Sequence, residues 1–197
     1  MLRGESAKKG GVECGVVLQN TTQLPFLSVE ENLLFSIRGI FQTLNESQLS
    51  DHCEQYLMSV GMNEFADHRP TDLSLGKRRR LALASALATE PKLLLLDEPL
   101  AGIDSTTRCL LEKELEKIWK RLKQTIVLLT NNLDEAIKMA DRVIPLIPVS
   151  EGRYTLGPSF TVEFSRPRMQ ESILSNPAFK TLKKAIKKSL RIPNALR

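Results

Sequence analysis

The sequence predicts an α/β fold with a three-layer, mainly parallel sheet, and three observations carry that prediction. Residues 93–96 are four consecutive leucines between Pro91 and the acidic pair Asp97 and Glu98. A run this short and this apolar suits a parallel strand covered on both faces, not a helix with one buried stripe. Residues 125–130 (Thr-Ile-Val-Leu-Leu-Thr) read as a second buried strand. Residues 12–18 read as a third, apolar except for Glu13, with Gly15 as a weak point or a close backbone approach. Helix-length segments stand between the strands, and that order argues for parallel crossovers.

After the first strand comes a polar loop, then the apolar loop Leu24-Pro25-Phe26-Leu27. Ser28-Val29-Glu30-Glu31 has the Ser-x-x-Glu pattern of a capping box, and its helix runs to about Arg38 before Gly39. Leu49, Cys53, Tyr56, Leu57 and Val60 repeat at helical spacing over residues 46–60, with Gly61 as the C-terminal cap. A short turn over residues 63–67 ends before Pro70. Ser74 caps a helix carrying Leu81, Leu83, Ala84 and Leu87. Asp104 opens the next, with Leu110, Leu111, Leu115, Ile118, Trp119 and Leu122 on one face. Its charged residues, Glu112, Lys113, Glu114, Glu116, Lys117 and Lys120, form the expected exposed face. Asn132 or Asp134 starts a short helix to Ala140.

Beyond it, residues 143–147 predict a further strand in which Pro145 removes a ladder donor, so an edge or a bulge is expected. Residues 153–156 and 160–164 read as a small hairpin or edge pair. Asn176-Pro177 starts a last helix with Phe179, Leu182, Ile186 and Leu190 in one stripe.

Composition narrows the function class. The chain of 197 residues carries a formal charge of +5. Lys180, Lys183, Lys184, Lys187, Lys188, Arg191 and Arg197 crowd its last stretch, which could suit an anionic membrane surface or nucleic acid but is read as a solvated helix face. No recognised nucleic-acid motif or interleaved aromatic platform accompanies them, so a nucleic-acid partner is not expected. Cys14, Cys53 and Cys109 are scattered, and His52 and His68 are the only histidines, a pattern that fits neither a disulfide framework nor a zinc site. Residues 1–11 lack the apolar core of a signal peptide, and no run approaches the ~20 apolar residues of a membrane span. The chain is expected to be soluble, reaching a membrane through a partner.

Asp97 and Glu98 fall where an α/β sheet places its ligands, at the carboxyl end of a strand. There a carboxylate can hold Mg²⁺ and a second can orient or deprotonate an attacking water. They could equally do no more than terminate a core strand.

A wider pattern decides between these. Residues 73–80 (Leu-Ser-Leu-Gly-Lys-Arg-Arg-Arg) resemble the signature motif of ATP-binding-cassette ATPases, usually Leu-Ser-Gly-Gly-Gln. At the family's spacing they are followed by a segment similar to its Walker B strand, catalytic glutamate and D-loop, residues 93–104. Residues 130–136 (Thr-Asn-Asn-Leu-Asp-Glu-Ala) resemble its switch-histidine segment, and residues 16–19 (Val-Val-Leu-Gln) its Q-loop. The segments at residues 24–32, Asp134-Glu135-Ala136 and Arg166-Pro167-Arg168 look like the branch that imports nitrate, sulfonate, taurine and related anions.

The resemblance implies a P-loop NTPase sheet, with a partial ABC ATPase domain over residues 1–165, a helical signature subdomain at about 28–90 and a basic helical extension over 166–197. It implies ATP and Mg²⁺ as ligands: Asp97 and Gln19 at the metal, Glu98 as general base, and Asn131 where the family has its switch histidine. Ser74, Gly76 and Lys77 would meet a nucleotide phosphate, and Asp104 the dimer interface. The implied partners are a second ABC ATPase subunit, in a homo- or heterodimer, and a transmembrane permease met by the region from Gln19 to Phe26. The location would be the cytoplasmic face of a membrane.

Departures qualify this. The family's phosphate cradle, Gly-x-x-x-x-Gly-Lys-[Ser/Thr], is missing: Gly10 and Gly15 have the spacing, but Val16 and Val17 follow where lysine and hydroxyl belong. If Met1 is the true start, the N-terminal Walker A lobe is absent. Asn131 can hydrogen-bond but cannot become a cation. Leu75 puts bulk where glycine lets the backbone approach a nucleotide, and Lys77 could offset this by attracting the γ-phosphate or could simply begin a basic surface. Two functions therefore stand side by side. One is an energy-coupling ATPase subunit of an importer. The other is an ATPase-dead structural or regulatory subunit, or a truncated remnant, that donates its signature to a partner.

Overall fold

The structure is a computed structural model that describes residues 13–19, 23–122, 125–150, 153–166, 168 and 172–190. Val12, Pro167, Arg191 and Arg197, on which some expectations fell, lie outside the described residues. The chain divides into two compact units, residues 1–129 and 130–197.

The first unit holds a parallel sheet of β1 (Cys14–Val17), β2 (Leu93–Asp97) and β3 (Thr125–Leu129), in the order β1-β2-β3. The leucine strand is thus central, as four residues with no polar alternation require. In the register, Val16 pairs with Leu95 and Leu95 with Val127, while Gly15, Leu94 and Ile126 align on the opposite face. Leu94 and Leu96 are fully buried.

The expectation that every strand is covered on both faces fails at β3. Val127 and Leu129 are each 44% exposed, and Val16 of β1 is 50% exposed. A three-stranded sheet has two edge strands. On this second face the edge-strand residues Val16, Val127 and Leu129 remain half-exposed, while Leu95 between them is better covered.

Helices α1 (Val29–Ile37), α2 (Glu46–Ser59) and α3 (Leu75–Ala88) pack on one another. Each starts where a side chain satisfies an orphan N–H group. Ser28 and Glu31 form the expected capping box, Asn45 and Gln48 form a second, and Ser74 caps α3. Gly61 follows α2 with φ +66°, a conformation that glycine adopts without strain. Short 3₁₀ turns at Asn63–Phe65 and Pro70–Asp72 bridge α2 to α3.

The end of α3 lies directly on β1. A Cβ at Gly15 would stand 2.9 Å from Pro91 Cγ and 3.1 Å from the Ala86 carbonyl oxygen, so the strand accepts the helix only because residue 15 is glycine. Helix α4 (Ser105–Leu122) buries Leu111, Leu115 and Ile118 as expected. Its charged face does not stay in solvent: Glu112 and Glu116 are buried, whereas Leu110 is exposed. Lys120 bridges Glu116 at 3.2 Å and Arg80 of α3 bridges Glu114 at 3.4 Å, so pairing lets the helix turn an acidic strip inward.

The second unit contains α5 (Leu133–Met139), β4 (Arg142–Val143), β5 (Leu146–Ser150), β6 (Arg153–Leu156), β7 (Phe160–Thr161), α6 (Ser172–Ser175) and α7 (Pro177–Ser189). The strand expected over residues 143–147 is split at Pro145. Its first part pairs with β7 and its second with β6, all antiparallel. Residues 153–156 and 160–164 therefore do not form a hairpin with each other.

Ile137, Val143, Val162, Phe179 and Ile186 form the core of this unit, while Leu190, expected in the same stripe, falls at the helix end and is exposed. Arg168 is buried here. Its guanidinium donates to the carbonyls of Phe164, Ala140 and Val162 at 2.6, 2.6 and 2.9 Å, and Arg166 donates to Met139 O at 2.7 Å. The Arg-Pro-Arg segment, singled out by resemblance, is a clamp on backbone carbonyls.

Cys53 lies fully buried in α2, and burial, with a smaller contribution from the charge of Glu30, pushes its thiol pKa up to about 12. Ionisation is thus harder in the folded than in the unfolded chain, whose thiol titrates near 9.0. Any stability linked to this group is complete below pH 9.0 and falls as pH rises towards about 12. Cys14 and Cys109 are partly exposed. Iodoacetamide at pH 8 is expected to label those two in the native chain and Cys53 only after denaturation. Equal labelling of all three under native conditions would contradict this core.

Candidate functional site

The first part of the site is built at the end of the leucine strand. Asp97 closes β2, and Glu98 follows with φ +43°, a left-handed conformation rare for a residue with a side chain. Its N–H donates to Leu129 O at 2.9 Å, and its carbonyl accepts from Ala101 N at 3.1 Å, so bonds on both sides hold the turn. Such a conformation costs about 1–3 kcal/mol and persists where its surroundings over-determine it. The side chain of Glu98 meets Gln19: the amide Nε2 donates to Oε2 at 3.3 Å.

Arg79 ties this strand end to α3. It is only 7% exposed, and its Nη1 donates to Leu18 O at 3.0 Å, one residue before Gln19. Burial lowers its pKa, partly offset by the charge of Asp97. At the adjacent residue of α3, Gln23 Nε2 donates to Arg78 O at 2.8 Å. The loop that begins at Gln19 is therefore fastened to α3 on both sides. Treating residues 77–80 as one basic surface misses Arg79. The signal was available, because residues 76, 79, 83 and 87 share one helical face and the other three are buried.

The second part lies at the start of α3. Ser74 Oγ accepts from Lys77 N at 3.4 Å. A Cβ on Gly76 would come within 2.7 Å of Thr107 Cγ2, so this glycine lets the starts of α3 and α4 approach. Asp104 caps α4 by accepting from Thr107 N at 2.9 Å, and that backbone bond, then the Thr107 hydroxyl, holds its carboxyl below the usual range. Leu75 turns towards Gly102, with Cδ2 3.7 Å from where a Cβ there would stand. Lys77 is engaged by an aromatic ring, its Nζ 3.7 Å from the centroid of Phe65. No sequence pattern pairs Lys77 with Phe65.

Asn131 belongs to the second unit and is exposed. Its neighbour Asn132 caps α5, accepting from Asp134 N at 3.0 Å and Glu135 N at 3.3 Å. A third group that sequence reasoning passed over is Asn32. It accepts from Leu24 N at 2.8 Å and donates to Ser28 O at 2.7 Å, which fixes the apolar loop before α1.

The donors can be tested against Mg²⁺ and ATP. Asp97 and Gln19 offer one carboxylate and one amide oxygen, a set that fits Mg²⁺ only when phosphates and water complete the octahedron. No cluster among the described residues could hold a metal alone. The phosphates in turn need a nest of N–H groups and a lysine, and no Gly-x-x-x-x-Gly-Lys-[Ser/Thr] segment occurs in the sequence. The strand end therefore does not fit a nucleotide held by these residues alone. The start of α3 does fit a phosphate brought to it, through Ser74 and the positive end of a helix of 14 residues.

Residues 2–101, just over half of the 197, match the sequence profile of the ABC transporter family. The chain belongs to that family. It is 32% identical over 182 residues to the nitrate import ATP-binding protein NrtD of Synechococcus elongatus, covering 92% of this chain and 66% of that protein. It is 31% identical over 182 residues to the bicarbonate transport ATP-binding protein CmpD of the same organism, covering 92% and 65%. With the bicarbonate transport ATP-binding protein CmpC of Synechocystis sp. it shares 32% identity over 185 residues, 94% of this chain but 27% of that protein. The chain thus spans less than two thirds of the length of these ABC transporter relatives. A nitrate protein is among them, in line with the branch expected. The bicarbonate proteins fall under the related anions expected beside nitrate.

The Gly76 contact is testable in this ABC transporter chain. Thr107 is β-branched and stiff in a helix. Gly76→Ala is expected to lower stability by about 1–3 kcal/mol in denaturant unfolding, and Thr107→Ser, which removes the opposing methyl, should recover most of the loss. No recovery would mean that the two helix starts are not in contact.

Proposed function

We propose that this chain serves the ATP-binding side of an ABC importer for small anions and contributes its α3 start to a nucleotide held by a partner subunit. The observation that carries this is the division of the site. Glu98 is held with Gln19 at the strand end, while Ser74 caps α3 with no bond to either, its Oγ taken by Lys77 N. Two half-sites so divided suit a head-to-tail dimer, in which each nucleotide lies between one subunit's cradle and the other's signature.

In this reading Ser74 and the N–H groups beside it bind the partner's phosphate, Gly76 keeps them against α4, and Asp104 faces the dimer interface. Lys77 leaves Phe65 to approach the anion. Asp97, Gln19, Glu98 and Asn131 would belong to the other half-site and take no part in the partner's nucleotide. There, given a cradle, Asp97 and Gln19 would contact Mg²⁺, Glu98 would accept the water proton on its carboxylate, and Asn131 would hydrogen-bond at the switch position. Bound Mg²⁺-ATP would supply the phosphoryl group for transfer to water. A nitrate or bicarbonate cargo is favoured by the names of the relatives, and sulfonates or taurine by the sequence segments. The permease would meet the loop fixed by Asn32. Phe26 is 66% and Phe35 69% exposed there, and a shallow pocket of about 490 Å³ is lined by Leu27, Glu31, Leu34, Phe35, Arg38 and Gly39. Such a contact would place the chain at the inner face of a membrane.

Asn131, which stands where the family has its switch histidine and cannot become a cation, favours a second reading, a subunit without ATPase activity of its own. Steady-state phosphate release separates the two. The 197-residue chain alone is expected to turn over little or no ATP. Mixed with a homologous subunit that carries a cradle, it should support slow turnover. Ser74→Ala should lower that by about tenfold or more, as loss of a charge-assisted phosphate contact implies, while Glu98→Gln should hardly change it. Robust hydrolysis by the lone chain, abolished by Glu98→Gln, would overturn the divided site.

A further inference from the structure

We propose that the outer face of α7 is a lysine surface that binds the anionic headgroups of a membrane. The charge of the chain is divided unevenly. Residues 130–197 contain 12 Lys and Arg against 6 Asp and Glu, a net +6, which leaves −1 for residues 1–129 out of the formal +5. Helix α7 has no acidic residue. Phe179 and Ile186 are fully buried in the core of the unit. At 3.6 residues per turn, Lys180, Lys184, Lys187 and Lys188 fall within a sector of about 100° and a length of about 12 Å. All four are exposed, and none has an ion-pair partner among the described residues. Lys183, at the margin of the row, is neutralised by Asp134 at 2.5 Å.

A solvated helix face does not need this arrangement. Helix α4 mixes Glu and Lys over its polar residues, whereas α7 sets like charges four apart at Lys180 and Lys184 and again at Lys184 and Lys188, which destabilises a helix in water. An apposed sheet of negative charge reverses the sign of that cost. Nucleic acid is disfavoured as the occupant because the helix's one aromatic residue, Phe179, is buried, leaving no ring to stack a base. A membrane is favoured because the chain belongs to a transporter family, and no described helix is long and apolar enough to cross a bilayer. With the apolar stripe of α7 spent on its own core, contact is peripheral and electrostatic, and therefore reversed by salt. The lysine row belongs to the second unit alone and requires neither nucleotide nor permease, so it stands or falls separately from the importer role.

The test is sedimentation of the full chain with vesicles of two parts phosphatidylcholine to one part phosphatidylglycerol. Binding is expected at low ionic strength, absent with pure phosphatidylcholine, and released by about 0.5 M salt. Each lysine near an anionic surface contributes about fivefold. Lys184→Gln with Lys187→Gln should then lower partitioning roughly 25-fold with no loss of thermal stability, because both side chains are exposed and Lys184 faces like charges on either side. Equal binding to neutral vesicles, or unchanged binding by the Lys180, Lys184, Lys187, Lys188→Gln variant, would overturn the proposal. Duplex DNA held more tightly than the vesicles at equal salt, with the same lysine dependence, would also overturn it and assign the surface to nucleic acid.

Discussion

Everything in the first unit depends on how closely α3 can approach its neighbours. At its end the helix rests on β1, where only a glycine at position 15 leaves room for Pro91 and the Ala86 carbonyl. At its start it meets α4, where only a glycine at position 76 leaves room for Thr107. Between these contacts the buried guanidinium of Arg79 reaches the Leu18 carbonyl. A helix anchored in three places is a rigid arm. The position of Ser74 relative to Glu98 is thus set by backbone packing and not by the conformations of long side chains.

The same contacts explain where the unit keeps its strained and desolvated groups. Glu98 adopts a left-handed conformation at the strand end, and Arg79 is buried beside it with its Nε unpaired among the described residues. A buried cation is tolerable when a carboxylate lies near, and Asp97 supplies that charge. The strand end therefore holds its own counter-charge, and Gln19 is brought to Glu98 by a loop fastened to the same helix. The second unit solves a similar problem differently: Arg168 is buried against three carbonyl oxygens.

Much of this was legible in the residues. Four leucines with no polar alternation can only be a central strand, Ser28 and Glu31 spell out a capping box, and Asn176-Pro177 fixes a helix start. Ser74, Asp97, Glu98 and Asp104 stand at element ends, where sequence signals are strongest. What was not legible depends on partners distant in the chain. Nothing local says that β3 lies at the edge of a narrow sheet, which leaves Val127 and Leu129 half-exposed. Glu112 and Glu116 look like solvent residues by sequence, and only the placement of α4, with Glu114 against Arg80, turns that acidic face inward. Pro145 announced an interruption, but which strands would take up the two halves depended on the core around Phe179. By sequence Lys77 fits a phosphate contact or a basic surface, and nothing local points to the ring of Phe65, twelve residues away.

The central claim is that the α3 arm presents half of a nucleotide site whose other half lies on a different subunit. Isothermal titration with ATP, under conditions that block hydrolysis, tests this most directly. The 197-residue chain alone should give no saturable binding. Added to a cradle-bearing subunit it should add no nucleotide site, yet it should tighten the existing one, and Ser74→Ala should remove the tightening. Saturable stoichiometric binding to the chain alone, or one further nucleotide per added chain, would contradict the account.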